Sequence, residues 1–161
     1  MRKIWKIIQF ISDKMKAISA ACLLGMTALT CVDIVGRLFK HPVFGSVELV
    51  SFMGILGVAL SLPYAHEQKS HIGVEIFISK LSSKKRLVID SITGILSFSF
   101  FGLVTWRMFD YAVKMMESGE VSMNLELPEY LIIFVVGFSF IMFSVIIIKG
   151  IVENFEEMRE K

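Results

Sequence analysis

Four stretches of the chain contain no Asp, Glu, Lys or Arg, and they constrain the fold more than any other feature of the sequence. They cover residues 17–32, 49–65, 91–106 and 130–148, so that all 17 Lys and Arg and all 15 Asp and Glu residues lie elsewhere. A bilayer core needs about 20 mostly apolar residues per helix, and each stretch reaches that length with one further turn at its ends. The sequence therefore predicts an all-α integral membrane protein with four transmembrane helices.

The expected layout is a single membrane domain over residues 1–161. We expect transmembrane helices at 17–39, 47–66, 87–108 with an outer extension, and 129–149. Two further segments, 1–16 and 71–82, have apolar residues on one helical face and polar residues on the other, which is typical of helices that lie in the membrane interface. Trp5 suits the headgroup level of the first segment. The alternative for the second segment is a short amphipathic linker that packs on the bundle.

The distribution of basic residues predicts the orientation. Thirteen of the 17 Lys and Arg residues lie in the N-terminal segment, the connection between the second and third spans, and the C-terminal segment. By the positive-inside rule, both termini are expected in the cytoplasm. The opposite surface is acidic before the fourth span, at Asp110, Glu117, Glu120, Glu126 and Glu129.

The sequence lacks the residues that most chemistry in a membrane requires. Transport paths are lined by ionisable or polar groups, and none of the four stretches holds an ionisable Asp, Glu, Lys or Arg. The three histidines, His41, His66 and His71, lie at or beyond the ends of the spans, where they do not suit axial haem ligation. Cys22 and Cys31 are nine residues apart on one helix, too far apart for a disulfide. We therefore expect no catalytic, substrate-binding or metal site, no cofactor and no enzyme activity.

Binding to nucleic acid is also disfavoured, because the formal net charge is only +2 and the basic residues are spread over several helix ends. The expected surroundings of the chain are the lipid bilayer and other membrane subunits.

Small residues on the second span point to close helix packing. Spacings of three and four residues place them on one stripe, formed by Ser51, Gly54, Gly57 and Ser61. Such a stripe lets another backbone approach closely. The neighbouring helix can belong to this chain or to a partner subunit, and the sequence leaves both interpretations open.

Three charged residues are expected at the outer membrane edge. Asp33 and Arg37 lie one helical turn apart, and Glu48 opens the next helix at the same depth. They can form a structural ion-pair cluster, or they can hold a neighbouring subunit.

Short motifs resemble those of one family. The first runs from Arg37 through Pro42, Gly45, Ser46 and Glu48 to Leu49. The second, after the second span, consists of His71, Ile72, Val74 and Glu75, the last where aspartate is frequent. The third, before the fourth span, contains Gly119, Ser122, Leu127 and Pro128. In order and spacing they resemble the small membrane subunit (DctQ-like small permease) of tripartite ATP-independent periplasmic (TRAP) transporters.

The resemblance implies a function in the bacterial inner membrane. A periplasmic substrate-binding protein captures an organic acid such as a C4-dicarboxylate, a sialic acid or a related sugar acid. A large permease subunit then carries it inward with sodium, and the small subunit contributes to the fixed scaffold. The acidic segment Asp110–Glu129 is a candidate contact for the binding protein, or simply a solvated loop. The alternatives are an accessory or assembly subunit of another membrane complex and an autonomous small oligomeric transporter.

Overall fold

Four long helices make up most of the protein. The computed structural model describes the backbone of residues 2–68 and 83–160, and the side chains of residues 5–68 and 87–156. Its helices are α1 (Arg2–Leu38), α2 (Ser46–Glu67), α3 (Ser83–Ser118) and α4 (Glu129–Glu160). All four are long and apolar enough to cross a membrane, which confirms the expected four-span, all-α architecture for the described residues. The segment expected as an interfacial helix at 71–82, with His71, Ile72, Val74 and Glu75, lies outside these residues.

Three of the helices extend beyond the expected spans. α1 has 37 residues and a length of about 55 Å at 1.5 Å per residue, whereas a bilayer core is about 30 Å thick. It runs from Arg2 through the first span without a break between residues 16 and 17. The helical periodicity of the N-terminal segment therefore reflects an extension of the first helix. That residues 1–16 lie in the plane of the interface stays a prediction.

The helices pack in a row rather than as two equivalent pairs. Among the described residues, α1 packs on α2, α2 packs on α4, and α4 packs on α3. Burial follows this order, since 39% and 28% of the most apolar 18-residue windows of α4 and α2 are buried, against 11% in α1 and in α3. The inner helices α2 and α4 supply the core residues Ala59, Leu60, Val136, Phe143, Ile146 and Ile147. α1 and α3 expose most of their apolar surface to the surroundings, as expected for helices in lipid.

Serine hydroxyls attach α2 to both of its neighbours. Pro63 is buried inside α2 and has no N–H to donate to the carbonyl of Ala59, one turn earlier. The hydroxyl of Ser139 on α4 donates to that carbonyl at 2.5 Å. On the other side of α2, the hydroxyl of Ser19 on α1 donates to the carbonyl of Gly57 at 2.6 Å. Neighbouring helices thus satisfy backbone groups where no water is available.

Aromatic rings fill the contact between α3 and α4. Phe101 of α3 meets Phe143 and Phe140 of α4 edge to face, with ring centroids 4.6 and 5.5 Å apart. Nearer the C-terminal end of α3, the ring of Phe109 lies directly on Gly137, where a side chain would be tightly confined. Edge-to-face geometry favours the quadrupoles of the rings, so this contact is specific as well as apolar.

The bond at the proline can be tested with a double-mutant cycle. Ser139→Ala leaves the Ala59 carbonyl without a donor, and we expect it to lower the free energy of unfolding by about 1–2 kcal/mol. In a Pro63→Ala background the helix supplies its own N–H, and the cost of Ser139→Ala is expected to fall below about 0.5 kcal/mol. Unfolding of the chain in mixed micelles measures both. Ser99→Ala is the control, because the Ser99 hydroxyl bonds within its own helix. Equal costs in the two backgrounds would contradict this account.

Candidate functional site

The C-terminal end of α1 is closed by a compact turn built around Asp33. The Asp33 carboxylate is buried, and it accepts hydrogen bonds from Arg37 Nε at 2.8 Å and from the backbone N–H of Val43 at 2.9 Å. The helix ends in a Schellman motif, in which His41 N–H donates to the Gly36 carbonyl and Lys40 N–H to the Arg37 carbonyl. Asp33 thereby fixes the loop that leads from α1 to α2.

Lys40 occupies a position in this motif that usually favours glycine. Its φ of 61° is left-handed, a conformation disfavoured for residues with a Cβ. At Gly36 the carbonyl of His41 lies directly against the Cα, which leaves no room for a side chain. The glycine in this turn is therefore required for close approach, while Lys40 adopts the left-handed backbone itself.

Glu48, in the first turn of α2, binds the loop between α3 and α4. Its carboxylate accepts four hydrogen bonds, from Ser122 Oγ at 2.9 Å, from Asn124 N and Nδ2 at 2.7 Å each, and from Leu125 N at 3.0 Å. The Ser122 hydroxyl also accepts a hydrogen bond from the backbone N–H of Leu127. The loop is therefore held by a bond within itself as well as by Glu48. A carboxylate with several N–H donors at a helix N-terminus is well stabilised in its charged form.

Gly45 makes this contact possible. Its φ is 69°, and the side chain of Leu125 packs so closely on its Cα that any Cβ would collide with it. We call Gly45, Glu48, Ser122, Asn124 and Leu125 the outer clasp, after the side of the membrane that the sequence predicts for these loops. It joins residues of the first and third motifs, which are more than 70 positions apart in the sequence.

The other motif residues lie around the outer clasp. Ser46 begins α2 and is buried, Leu49 is half-buried in its first turn, and Pro42 is exposed in the preceding loop. Pro128 directly precedes α4, where its fixed φ and missing N–H suit a helix start. These residues shape the two loops that the clasp connects.

The structure divides the three charged residues expected at this edge into two separate interactions. Asp33 and Arg37 form an ion pair, but within the described part of the chain Glu48 makes none, because its oxygens are taken by loop donors. The ion-pair interpretation therefore holds for Asp33 and Arg37, and Glu48 serves to connect loops. A role of any of the three in holding a partner stays a prediction.

The two glycines of the small-residue stripe on α2 contact another helix of this chain. Gly54 and Gly57 lie against Met26 and Leu23 of α1, so these two glycines allow close packing within the chain. Ser51 is exposed and Ser61 half-buried, and their hydroxyls bond to carbonyls of α2 itself. Contact of these two serines with a partner stays a prediction.

The sequence interpretation missed a second cluster at the opposite end of the helices, which the sequence predicts to be the inner end. Lys149 of α4 pairs with Glu67 of α2 at 3.2 Å, with 18% and 19% of the two side chains exposed. Gln9 of α1 donates to the same carboxylate at 3.1 Å, and the Lys149 ammonium lies 5.6 Å from the ring centroid of Trp5. We call these four residues the inner clasp. The sequence feature that could have indicated this contact is that Glu67 and Lys149 each follow an uncharged stretch at the same end of the protein.

Among the described residues, no group of three or more His, Cys, Asp or Glu side chains could hold a metal ion. Cys22 and Cys31 are free. The tertiary polar contacts described above join helices to loops, helix ends to one another, and α2 to its neighbours at mid-helix.

Four apolar spans with ionic and hydrogen-bonded clusters near both ends of the helices define a multi-pass membrane protein. The family model described as "Tripartite ATP-independent periplasmic transporters, DctQ component" matches residues 26–157 of the 161-residue chain. The chain belongs to this family, the small permease subunits of TRAP transporters, and is a multi-pass protein of the inner membrane. No curated protein and no solved structure matches it.

The outer clasp can be tested through the mobility of its loop. Glu48→Gln keeps the shape of the side chain but replaces one acceptor oxygen by a donor, and we expect the free energy of loop opening to fall by about 2 kcal/mol. A nitroxide label at position 123, where Met123 is 97% exposed, reports the change as increased mobility. Glu120→Gln, on the same loop and exposed, should leave the label unchanged. An immobile label in Glu48→Gln would rule out the clasp as the anchor of the loop.

Proposed function

We propose that this small permease subunit is the scaffold partner of the large permease subunit in sodium-coupled, binding-protein-dependent uptake of an organic acid. The substrate class we propose is a C4-dicarboxylate, a sialic acid or a related sugar acid. The family is one of transporter membrane subunits rather than enzymes. The observation that carries the proposal is the absence of Asp, Glu, Lys and Arg from all four apolar stretches, which leaves this chain without a charged path across the membrane.

The packing of the helices supports a fixed role. Two clasps join the helices near their ends, and serine bonds attach α2 to α1 and α4 in the middle. A transport mechanism in which one domain slides against another needs such a frame, because the sliding domain must move against something that keeps its shape. The row of helices also offers wide apolar faces on which a larger membrane subunit can pack.

We further propose that both termini face the cytoplasm, on the basis of the 13 basic residues assigned to that side. The inner clasp then lies at the cytoplasmic edge, and residues 2–16 of α1 reach the inner interfacial layer. Labelling of single cysteines introduced near each terminus with a membrane-impermeant reagent tests this orientation, since periplasmic labelling would contradict it.

Arg37 is the residue of the outer edge best placed to contact the large subunit. Its side chain is 57% exposed, and Asp33 orients it through a hydrogen bond to Nε. Within the described residues the guanidinium makes no other hydrogen bond, which leaves its remaining N–H groups available to a partner. We expect Arg37→Ala to reduce the amount of large subunit that co-purifies with this chain by about fivefold, as for loss of a charged interfacial hydrogen bond.

Lys40→Ala is the matched control, because Lys40 is an exposed cation of the same loop that makes no ion pair within the described residues. Glu48→Ala is expected to weaken the complex as well, indirectly, through its loop. Unchanged complex yield and uptake in Arg37→Ala would refute its role in assembly.

Reconstitution separates the proposed function from its alternatives. In liposomes with an inward sodium gradient, this chain alone is expected to give no uptake of organic acids. Addition of the large subunit and the substrate-loaded binding protein should give sodium-dependent uptake. Uptake by this chain alone would support an autonomous oligomeric transporter, and full uptake without this chain would support an accessory role.

A further inference from the structure

A groove between α3 and α4 opens towards the surroundings of the protein, and all of its lining residues lie within the third and fourth uncharged stretches. It has a volume of about 240 Å³, and one face of each helix lines it, with Phe98, Gly102 and Thr105 on α3 and Ile141, Ser144, Val145 and Ile148 on α4. A Cβ placed on Gly102 would meet nothing within 4 Å, so the space over this glycine is unfilled. Phe98, Ile141 and Ile148 are exposed and form the rim.

Ser144 distinguishes this groove from a merely apolar surface. Its side chain is only 9% exposed, and its hydroxyl has no hydrogen-bond partner among the described residues. The hydroxyls of Ser99 and Thr105 donate to the carbonyl four residues earlier, and those of Ser19 and Ser139 donate to carbonyls of α2. Unlike these, the hydroxyl of Ser144 is left with unused hydrogen-bonding capacity at a depth where water is scarce.

The unpaired hydroxyl favours a protein segment over lipid as the occupant of the groove. A lipid acyl chain would fill the space over Gly102 but would leave the hydroxyl unsatisfied. A transmembrane helix can fill the space with a bulky apolar side chain and can also offer a carbonyl or polar side chain to Ser144. Small residues that admit a close neighbour, together with a serine that bonds across the contact, are the usual features of helix association in membranes.

We propose that this groove receives a transmembrane helix of the large permease subunit, which places an apolar side chain over Gly102 and hydrogen-bonds to the Ser144 hydroxyl. The inference rests on the proposed function, since it takes the large subunit as the partner. It assigns the docking face to the α3–α4 side of the row. The protein already uses the same mode of contact internally, where Ser139 of α4 binds a carbonyl of α2.

Substitutions in the groove test the proposal in the full complex. Gly102→Leu fills the space, and we expect it to reduce co-purification of the large subunit about tenfold. Leu103→Phe adds bulk at the next position, on a side chain that is 60% exposed and does not line the groove, and should have no effect. Ser144→Ala removes the hydroxyl and should weaken the complex about threefold, whereas Ser99→Ala should not. Equal complex yields for Gly102→Leu and Leu103→Phe would overturn the proposal.

Photo-crosslinking keeps the test independent of any effect of Gly102→Leu on folding. A photoreactive phenylalanine derivative at position 141, on the rim, is expected to crosslink to the large subunit, while one at position 96, exposed outside the groove, is not. Crosslinks from position 141 to lipid only, or to a second copy of this chain, would overturn the inference. So would crosslinks to the large subunit from position 96 alone, which would leave the proposed function intact. The proposed function itself would fail if the unmodified chain did not co-purify with the large subunit.

Discussion

In the hydrocarbon core of a membrane, a polar group must find its partner within the protein, and this constraint shapes every part of the structure. Charged residues are excluded from the four apolar stretches and are concentrated at the ends of the helices. Where a backbone group is left over within the core, as at Ala59 opposite Pro63, a serine of the next helix supplies the missing donor. Without Ser139, the proline would leave the Ala59 carbonyl unpaired. With Ser139, the same carbonyl attaches α2 to α4.

The same constraint explains why the helices are joined near both membrane edges. Apolar helices in lipid gain little from burial against one another, because lipid tails are as apolar as their side chains. Specific contacts at the edges therefore carry much of the information that fixes their arrangement. Glu48 joins the start of α2 to the loop between α3 and α4, while Glu67 and Lys149, with Gln9 and Trp5, connect three helices at the opposite end. A frame held in this way suits the stationary role that we propose for this subunit.

The row α1, α2, α4, α3 also gives the protein a large surface for its size. A closed bundle of four helices would hide one face of each helix, whereas α1 and α3 here keep most of their surface free. Lipid can cover much of that surface. The α3–α4 groove differs, because a buried hydroxyl in its wall is left without a partner. It is the feature by which this frame can recognise a particular neighbour.

The sequence by itself determined the number of spans and their approximate positions. Charged side chains are costly in the hydrocarbon core, so the uncharged stretches mark the spans directly in the sequence. It also indicated the family, through motifs whose order and spacing resemble those of TRAP small subunits. It did not show that Glu48 binds Ser122 and Asn124, because hydrogen bonds between loops more than 70 residues apart leave no periodic signal. The lengths of α1 and α4 beyond the apolar stretches, the order of the helices in the row, the inner clasp and the unpaired Ser144 were decided only in the tertiary structure. They depend on which faces of the helices meet, and hydropathy, which reports depth in the membrane, carries no information about neighbours.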